Sequence, residues 1–241
     1  MSRPGGSPTS AQPQPDNAHG ASGAATSAPS RPSSDHSAER LIEDITSFTE
    51  SIDRPVGLVT HSSGGALGLF AASQADNVAA VAHSEPALLH TRTDDEMEQA
   101  MQGLGGIGEA LEAGRDREAA RIFLEDLGLV TEREMEERRT QDELLDDWAP
   151  TSATSLQDAT GFASAGPPPA DLLDRLAMPT LLLCGADTHP SYQRGVEILA
   201  SELPDATTHE LTGTGHLAPQ LRPDLVAEPL HAFFSDRLGE D

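Results

Sequence analysis

Apolar positions recur along the chain with two different periods. Leu41, Ile45, Phe48 and Ile52 are spaced by three and four, which marks one face of an amphipathic helix ending before Pro55. A short apolar run, Val56–Thr60, then reads as a strand, followed by a polar turn, the pair Gly64 and Gly65, and an alanine-rich helical stretch. Further strands are predicted at "NVAAVAHSEP" (77–86), at "PTLLLCGAD" (179–187) and, more weakly, at "ATTHEL" (206–211). Helical patterns lie at Tyr192–Glu202 and Pro223–Leu238, the latter expected to kink or divide at Pro229. Strands alternating with helices predict an α/β fold, a mostly parallel sheet with helices on both faces.

Residues 90–178 break that alternation and predict helices near Asp94–Met101, across Arg117–Leu127 and across Glu132–Trp148. Each carries an apolar stripe: Met97 with Met101, Ile122 and Phe123 with Leu127, Leu144 and Leu145 with Trp148. The run "TEREMEERRTQDELLDD" is read as a solvated helix face. "GFASAGPPPA" (161–170) reads as a loop returning to the sheet. Residues 1–35 hold Pro, Ser, Gly and Ala with almost nothing large and apolar, so they are expected to be disordered. The expected organisation is therefore a low-complexity segment, 1–35, then a domain over 36–241 with 90–178 as a helical insertion.

Charge narrows the class of partner. The chain carries 40 acidic against 15 basic residues, a net charge of −25, and every basic residue other than histidine is an arginine. Such a surface repels nucleic acid and anionic membranes, so neither is an expected partner. Dense acid without lysine suits a salt-adapted cytoplasm, and a GC-rich genome would deplete lysine as well. Cys184 is the single cysteine, which rules out an internal disulfide. With no apolar run near the roughly 18 residues of a span, and no start resembling a signal peptide, a cytoplasmic location is expected.

Chemistry concentrates at three strand ends. Thr60-His61-Ser62-Ser63-Gly64 joins strand to helix through a turn of small residues, with serine at its centre. A serine hydroxyl is a poor nucleophile unless an imidazole takes its proton, and the imidazole needs a carboxylate to orient it. "LLLCGAD" puts Asp187 just after one strand, and "LTGTGH" puts His216 in a glycine-rich loop after the next. The order Ser, acid, His is that of the strand–turn–helix nucleophile elbow, Gly-x-Ser-x-Gly, with Thr60 in place of the first glycine. His83, His90 and His189 lack ligand-like spacing, so no metal site is expected. No cofactor is expected either.

On "THSSGG", "HSEPALL", "MPTLLLCGAD" and "LPDATTHELTGTGH", the chain resembles the α/β-hydrolase family, specifically its small members with a helical cap, over about residues 37–241. The resemblance implies Ser62 as nucleophile, His216 as base, Asp187 as orienting acid and the Ser63 backbone N–H as one oxyanion donor. Glu85 in "HSEP" is a rival acid, because the family sometimes carries it after the earlier strand. The insertion at 90–178 would be the cap over a small-molecule substrate. The family places further strands and a His-Gly oxyanion loop before the elbow, and "DNAHGASG" (16–23) resembles that region's Gly-x-Gly-x-Ser turn, and less well the loop. The domain is thus expected to be incomplete at its front, with an exposed sheet edge inviting self-association. The implied activity is serine hydrolysis of an ester, thioester or lactone-like bond through an acyl-enzyme. The alternatives are a catalytically silent relative binding a small apolar molecule or a partner, and an acyltransferase.

Overall fold

A helix capped at Ser37 is the first element among the described residues. The computed structural model describes residues 37–130, 134, 138–163 and 166–238. The low-complexity segment 1–35, the "DNAHGASG" turn and part of the charge run therefore lie outside the described residues.

The Ser37 side chain accepts the Arg40 N–H at 3.3 Å, starting α1 (Ala38–Glu50). Its inward stripe is Ala38, Leu41, Ile42, Ile45 and Thr49. Phe48, expected on that face, is 58% exposed. The 3.6-residue period carries the buried line through the small residues Ala38 and Thr49, and Phe48 falls to one side of it.

After α1 come β1 (Val56–His61), α2 (Ser63–Ala72) and β2 (Val78–Ser84). Helices then occupy the chain up to β3 (Thr180–Gly185), which is followed by α8 (Pro190–Glu202) and β4 (Ala206–Leu211). The short α9 (Ala218–Leu221) and the long α10 (Pro223–Leu238) close the order. Among the described residues the sheet has four strands, all parallel and ordered β1-β2-β3-β4, with Thr60 opposite His83 and Ser84 opposite Leu183. Alternate residues serve opposite faces. Val81 and Leu182 pack with α1, α2 and α8, whereas Ala80, Ala82, Leu181 and Leu183 meet Val226 and Phe233 of α10. Complete burial of one such leucine contributes about 1.5–3 kcal/mol. Helix α10 runs through Pro229 as a single element. The two outer strands differ: β4 exposes the polar run Thr207–Glu210, while β1 leaves Val59 54% exposed.

Between β2 and β3 lie α3 (Asp94–Glu112), α4 (Asp116–Asp126), α5 (Arg138–Trp148), α6 (Ser152–Ala163) and α7 (Ala170–Arg175). The sequence predicts a helix only near Asp94–Met101, and α3 extends beyond it through four glycines at 103, 105, 106 and 108. The helix runs on through them, and two of the four face α4 closely: a Cβ on Gly103 would stand 3.0 Å from that of Asp126, and one on Gly106 3.5 Å from Ile122 Cδ1. Ile107, Ala110, Ala119 and Ile122 fill the seam. Helix α6 was not anticipated. Its Ser- and Thr-rich composition reads as a loop, and among its described side chains Leu156 is the large apolar residue that reaches the seam. The last turn of α6 and the start of α7 also replace parts of the expected 161–170 loop. No helix among the described residues is long and apolar enough to cross a membrane.

Candidate active site

Strand β1 ends at His61 and α2 begins at Ser63, so Ser62 alone makes the turn. It does so at φ 56° and ψ −126°, a left-handed conformation unusual for a residue with a Cβ. Such strain costs on the order of 1–3 kcal/mol and persists only where the surroundings over-determine it. Here the Ser62 N–H donates to Ser84 O at 3.1 Å, and its carbonyl accepts from Gly65 at 2.8 Å and Ala87 at 2.9 Å. The hydroxyl is thereby presented at the head of a helix whose first N–H groups, Ser63 included, have no intrahelical acceptor.

The threonine at the head of the turn is accommodated from below. A Cβ on Gly68 of α2 would lie 2.7 Å from Thr60 Cγ2, so the glycine that gives room has moved from the strand to the helix. Thr60 Oγ1 lies 2.5 Å from His83 Nδ1. Burial lowers the His83 pKa to about 4, so the ring is neutral near pH 7 and free to accept the threonine proton.

His216, 2% exposed, closes on Ser62: its Nε2 is 2.8 Å from the Ser62 Oγ. Its Nδ1 is 2.7 Å from Glu85 Oε2. The carboxylate in the place expected of Asp187 is therefore that of Glu85, which is 1% exposed. Glu85 follows β2 directly, also at positive φ (45°), and its extra methylene gives reach across the sheet end. Its other contacts satisfy it: Gly185 N–H donates to Oε1 at 2.6 Å and the Thr188 hydroxyl to Oε2 at 2.7 Å. Asp187 lies between those two donors with an exposed side chain, its own N–H bonded to Thr214 O at 2.9 Å. The Gly-Ala-Asp loop holds the acid rather than supplying it.

Two aromatic rings flank the imidazole. Tyr192, from the first turn of α8, stacks on His216 with centroids 3.9 Å apart, and His61 lies 4.6 Å away on a tilted plane. His61 Nε2 is also 2.8 Å from the His216 carbonyl oxygen, fixing that loop. Burial first, and the nearby His216 second, lower the His61 pKa to about 4, against the opposing effects of that hydrogen bond and of Glu85. The Cys184 thiol is no rival nucleophile: burial, with Glu85 and other carboxylates nearby, pushes it up to about 12.

Over Ser62 opens a cavity of about 290 Å³ that joins the sheet end to the insertion. Met97, Met101, Leu104, Phe123, Leu127 and Trp148 give it an apolar wall, and Arg92 brings a cation into it. Nothing in the linear pattern marks Arg92 or Thr188 as part of this site, and little marks Tyr192. The only available signal was that the chain's single tyrosine follows the Asp187 loop by five residues. Among the described residues no cluster of three or more His, Cys, Asp or Glu side chains is arranged to hold a metal ion.

A model of the alpha/beta hydrolase family matches residues 14–228, beginning upstream of Ser37. No curated protein matched the sequence. Among solved structures, MenH from S. aureus is similar with a TM-score of 0.64 at 15% identity, over 86% of this chain and 79% of that one. An α/β hydrolase from Sphaerobacter thermophilus gives 0.61 at 21% identity, over 85% and 76%. A thermophilic esterase from Thermogutta terrifontis gives 0.63 at 19%, over 83% and 72%.

Proposed function

The chain belongs to the α/β-hydrolase family, and we propose that it is a serine hydrolase cleaving an ester, thioester or lactone-like bond through an acyl-enzyme on Ser62. The observation that carries this reading is the unbroken hydrogen-bonded line from Ser62 Oγ through His216 to Glu85.

His216 Nδ1–H donates to Glu85, which leaves Nε2 as the acceptor for the Ser62 proton. As Oγ attacks the carbonyl carbon, that proton passes to Nε2 and Glu85 stabilises the imidazolium. The Ser63 N–H, at the positive end of α2, donates to the developing oxyanion. Collapse of the intermediate sends the proton from Nε2 to the leaving oxygen or sulfur, and water repeats the sequence in reverse. Helices α3, α4 and α5 act as a cap whose apolar wall fits a substrate with an aliphatic or aromatic portion beside the scissile bond.

The test is hydrolysis of p-nitrophenyl esters of graded acyl length by the full chain and by Ser62→Ala. The reading requires turnover that disappears in Ser62→Ala. Turnover that survives the substitution would remove Ser62 from the chemistry.

A further inference from the structure

The wall of the cavity over Ser62 is largely apolar, and Arg92 interrupts it with a fixed positive charge. Arg92 follows the short turn Leu89–Thr91, which leads from the end of β2 toward the cap. One of its terminal N–H groups donates to Leu127 O at 3.1 Å, at the C-terminal end of α4. That bond fixes the guanidinium where a helix end already favours a cation.

Acids outnumber bases in this chain by 40 to 15, so most arginines find a carboxylate. Among the described residues the other partly buried arginines are both paired, Arg121 with Glu125 at 2.5 Å and Arg194 with Glu96. Arg92 is partly buried as well, and no described carboxylate forms an ion pair with it. Glu96, four residues along, is committed to Arg194 and to the Thr93 N–H. Glu85 is taken up by His216, Gly185 and Thr188. Asp158 also reaches the cavity, but it and Arg92 do not pair. A partly desolvated cation without a counter-charge costs free energy, and a ligand that supplies the charge offsets that cost.

The chemistry of the donor selects the ligand. A guanidinium presents its N–H groups as a planar fork that meets a carboxylate with two parallel bonds. Among the described lining residues Arg92 is the one arginine, which suits a single negative charge rather than a phosphate dianion. At long range the net charge of −25 repels an anion, so holding one depends on a local cation of this kind.

We propose that Arg92 determines specificity, selecting a substrate that carries a carboxylate in addition to its scissile ester, thioester or lactone-like bond. The inference rests on the serine-hydrolase reading above. The guanidinium holds the carboxylate, and Met97, Leu104 and Phe123 cover the carbons between it and the bond cut at Ser62. The carboxylate takes no part in the attack, so its ion pair is the same before and during the reaction. It therefore acts on KM rather than on kcat.

The experiment measures wild type, Arg92→Gln and Arg92→Lys on two series of esters, in about 0.15 M salt so that distant charges are screened. The first series is mono-p-nitrophenyl adipate and suberate, each beside its neutral methyl p-nitrophenyl diester. The second puts the charge on the leaving group, as 4-butyryloxybenzoate beside its methyl ester. Glutamine can still donate to Leu127 O, so a role confined to the end of α4 does not move the readout. Melting temperatures check the fold. The readout is kcat/KM for each anionic ester divided by that of its neutral counterpart, so a general loss of activity cancels. In at least one series this ratio is expected to fall about 10- to 100-fold in Arg92→Gln, through KM, and to be partly kept in Arg92→Lys. A ratio within about threefold of wild type in both series would overturn the proposal while leaving the hydrolase reading intact. A fall carried by kcat with KM unmoved would overturn it too. A wild type that turns over none of these esters would overturn that reading and the proposal with it.

Discussion

The loops after β2 and β3 each carry a carboxylate within two residues of the strand end, and the two are treated differently. Glu85 is buried, lies at positive φ and receives three donors, from His216, Gly185 and Thr188. Asp187 has an exposed side chain, and the residues on either side of it along the loop point their donors at Glu85. A buried carboxylate without such donors would cost several kcal/mol, so the β3 loop is what makes Glu85 tolerable at the sheet end. A loop of the right sequence at the right strand can thus be the cradle for the acid rather than its source.

Substitution should separate the loops sharply. Glu85→Gln is expected to reduce turnover by about 10⁴-fold, as loss of the orienting acid does in serine triads, and Asp187→Asn to change it by a few-fold at most. Steady-state kinetics on an activated ester reads both. Comparable losses in the two variants would break the distinction.

A second prediction concerns the strand beneath Glu85. His83 titrates at about 4 in the folded chain, against an ordinary value of 6.5. The unfolded chain therefore takes up this proton first as pH falls, and stability contributed by the neutral ring is complete above about pH 6.5 and is lost toward pH 4. The loss attributable to this residue is roughly 3 kcal/mol. Urea unfolding at pH 7 and pH 5 should show a smaller difference in His83→Gln than in wild type. Equal differences would remove His83 as a source of acid sensitivity.

The smallest effect should come from the cradle itself. Thr188→Val removes one of two donors to Glu85 Oε2, while His216 still holds that oxygen. Stability should fall by about 1–3 kcal/mol, and turnover by about tenfold, equivalent to about 1.4 kcal/mol. A denaturation curve and kcat measured on the same preparation would check this.

Much of the arrangement around Ser62 was legible because it rests on short-range rules. A strand, a run of small residues and a helix in succession leave few conformations for Ser62, and the His216 loop follows the last strand as its glycines suggest. The choice between Glu85 and Asp187 was not legible, because burial and reach are tertiary quantities and both residues sit at strand ends. The full length of α3 was not legible for a related reason: Gly103 serves close packing against Asp126, a contact a linear pattern does not contain. Phe48 shows the converse, an apolar residue on the expected stripe that tertiary packing left outside.

The central claim is that Glu85 holds the His216 imidazole with Nε2 turned to Ser62. Nitrogen-edited proton NMR of the His216 ring N–H, in wild type, Glu85→Gln and Asp187→Asn, tests it without any substrate. A strongly downfield Nδ1–H resonance is expected that persists in Asp187→Asn and is lost or moved far upfield in Glu85→Gln. The reverse pattern, with the resonance kept in Glu85→Gln and lost in Asp187→Asn, would contradict it.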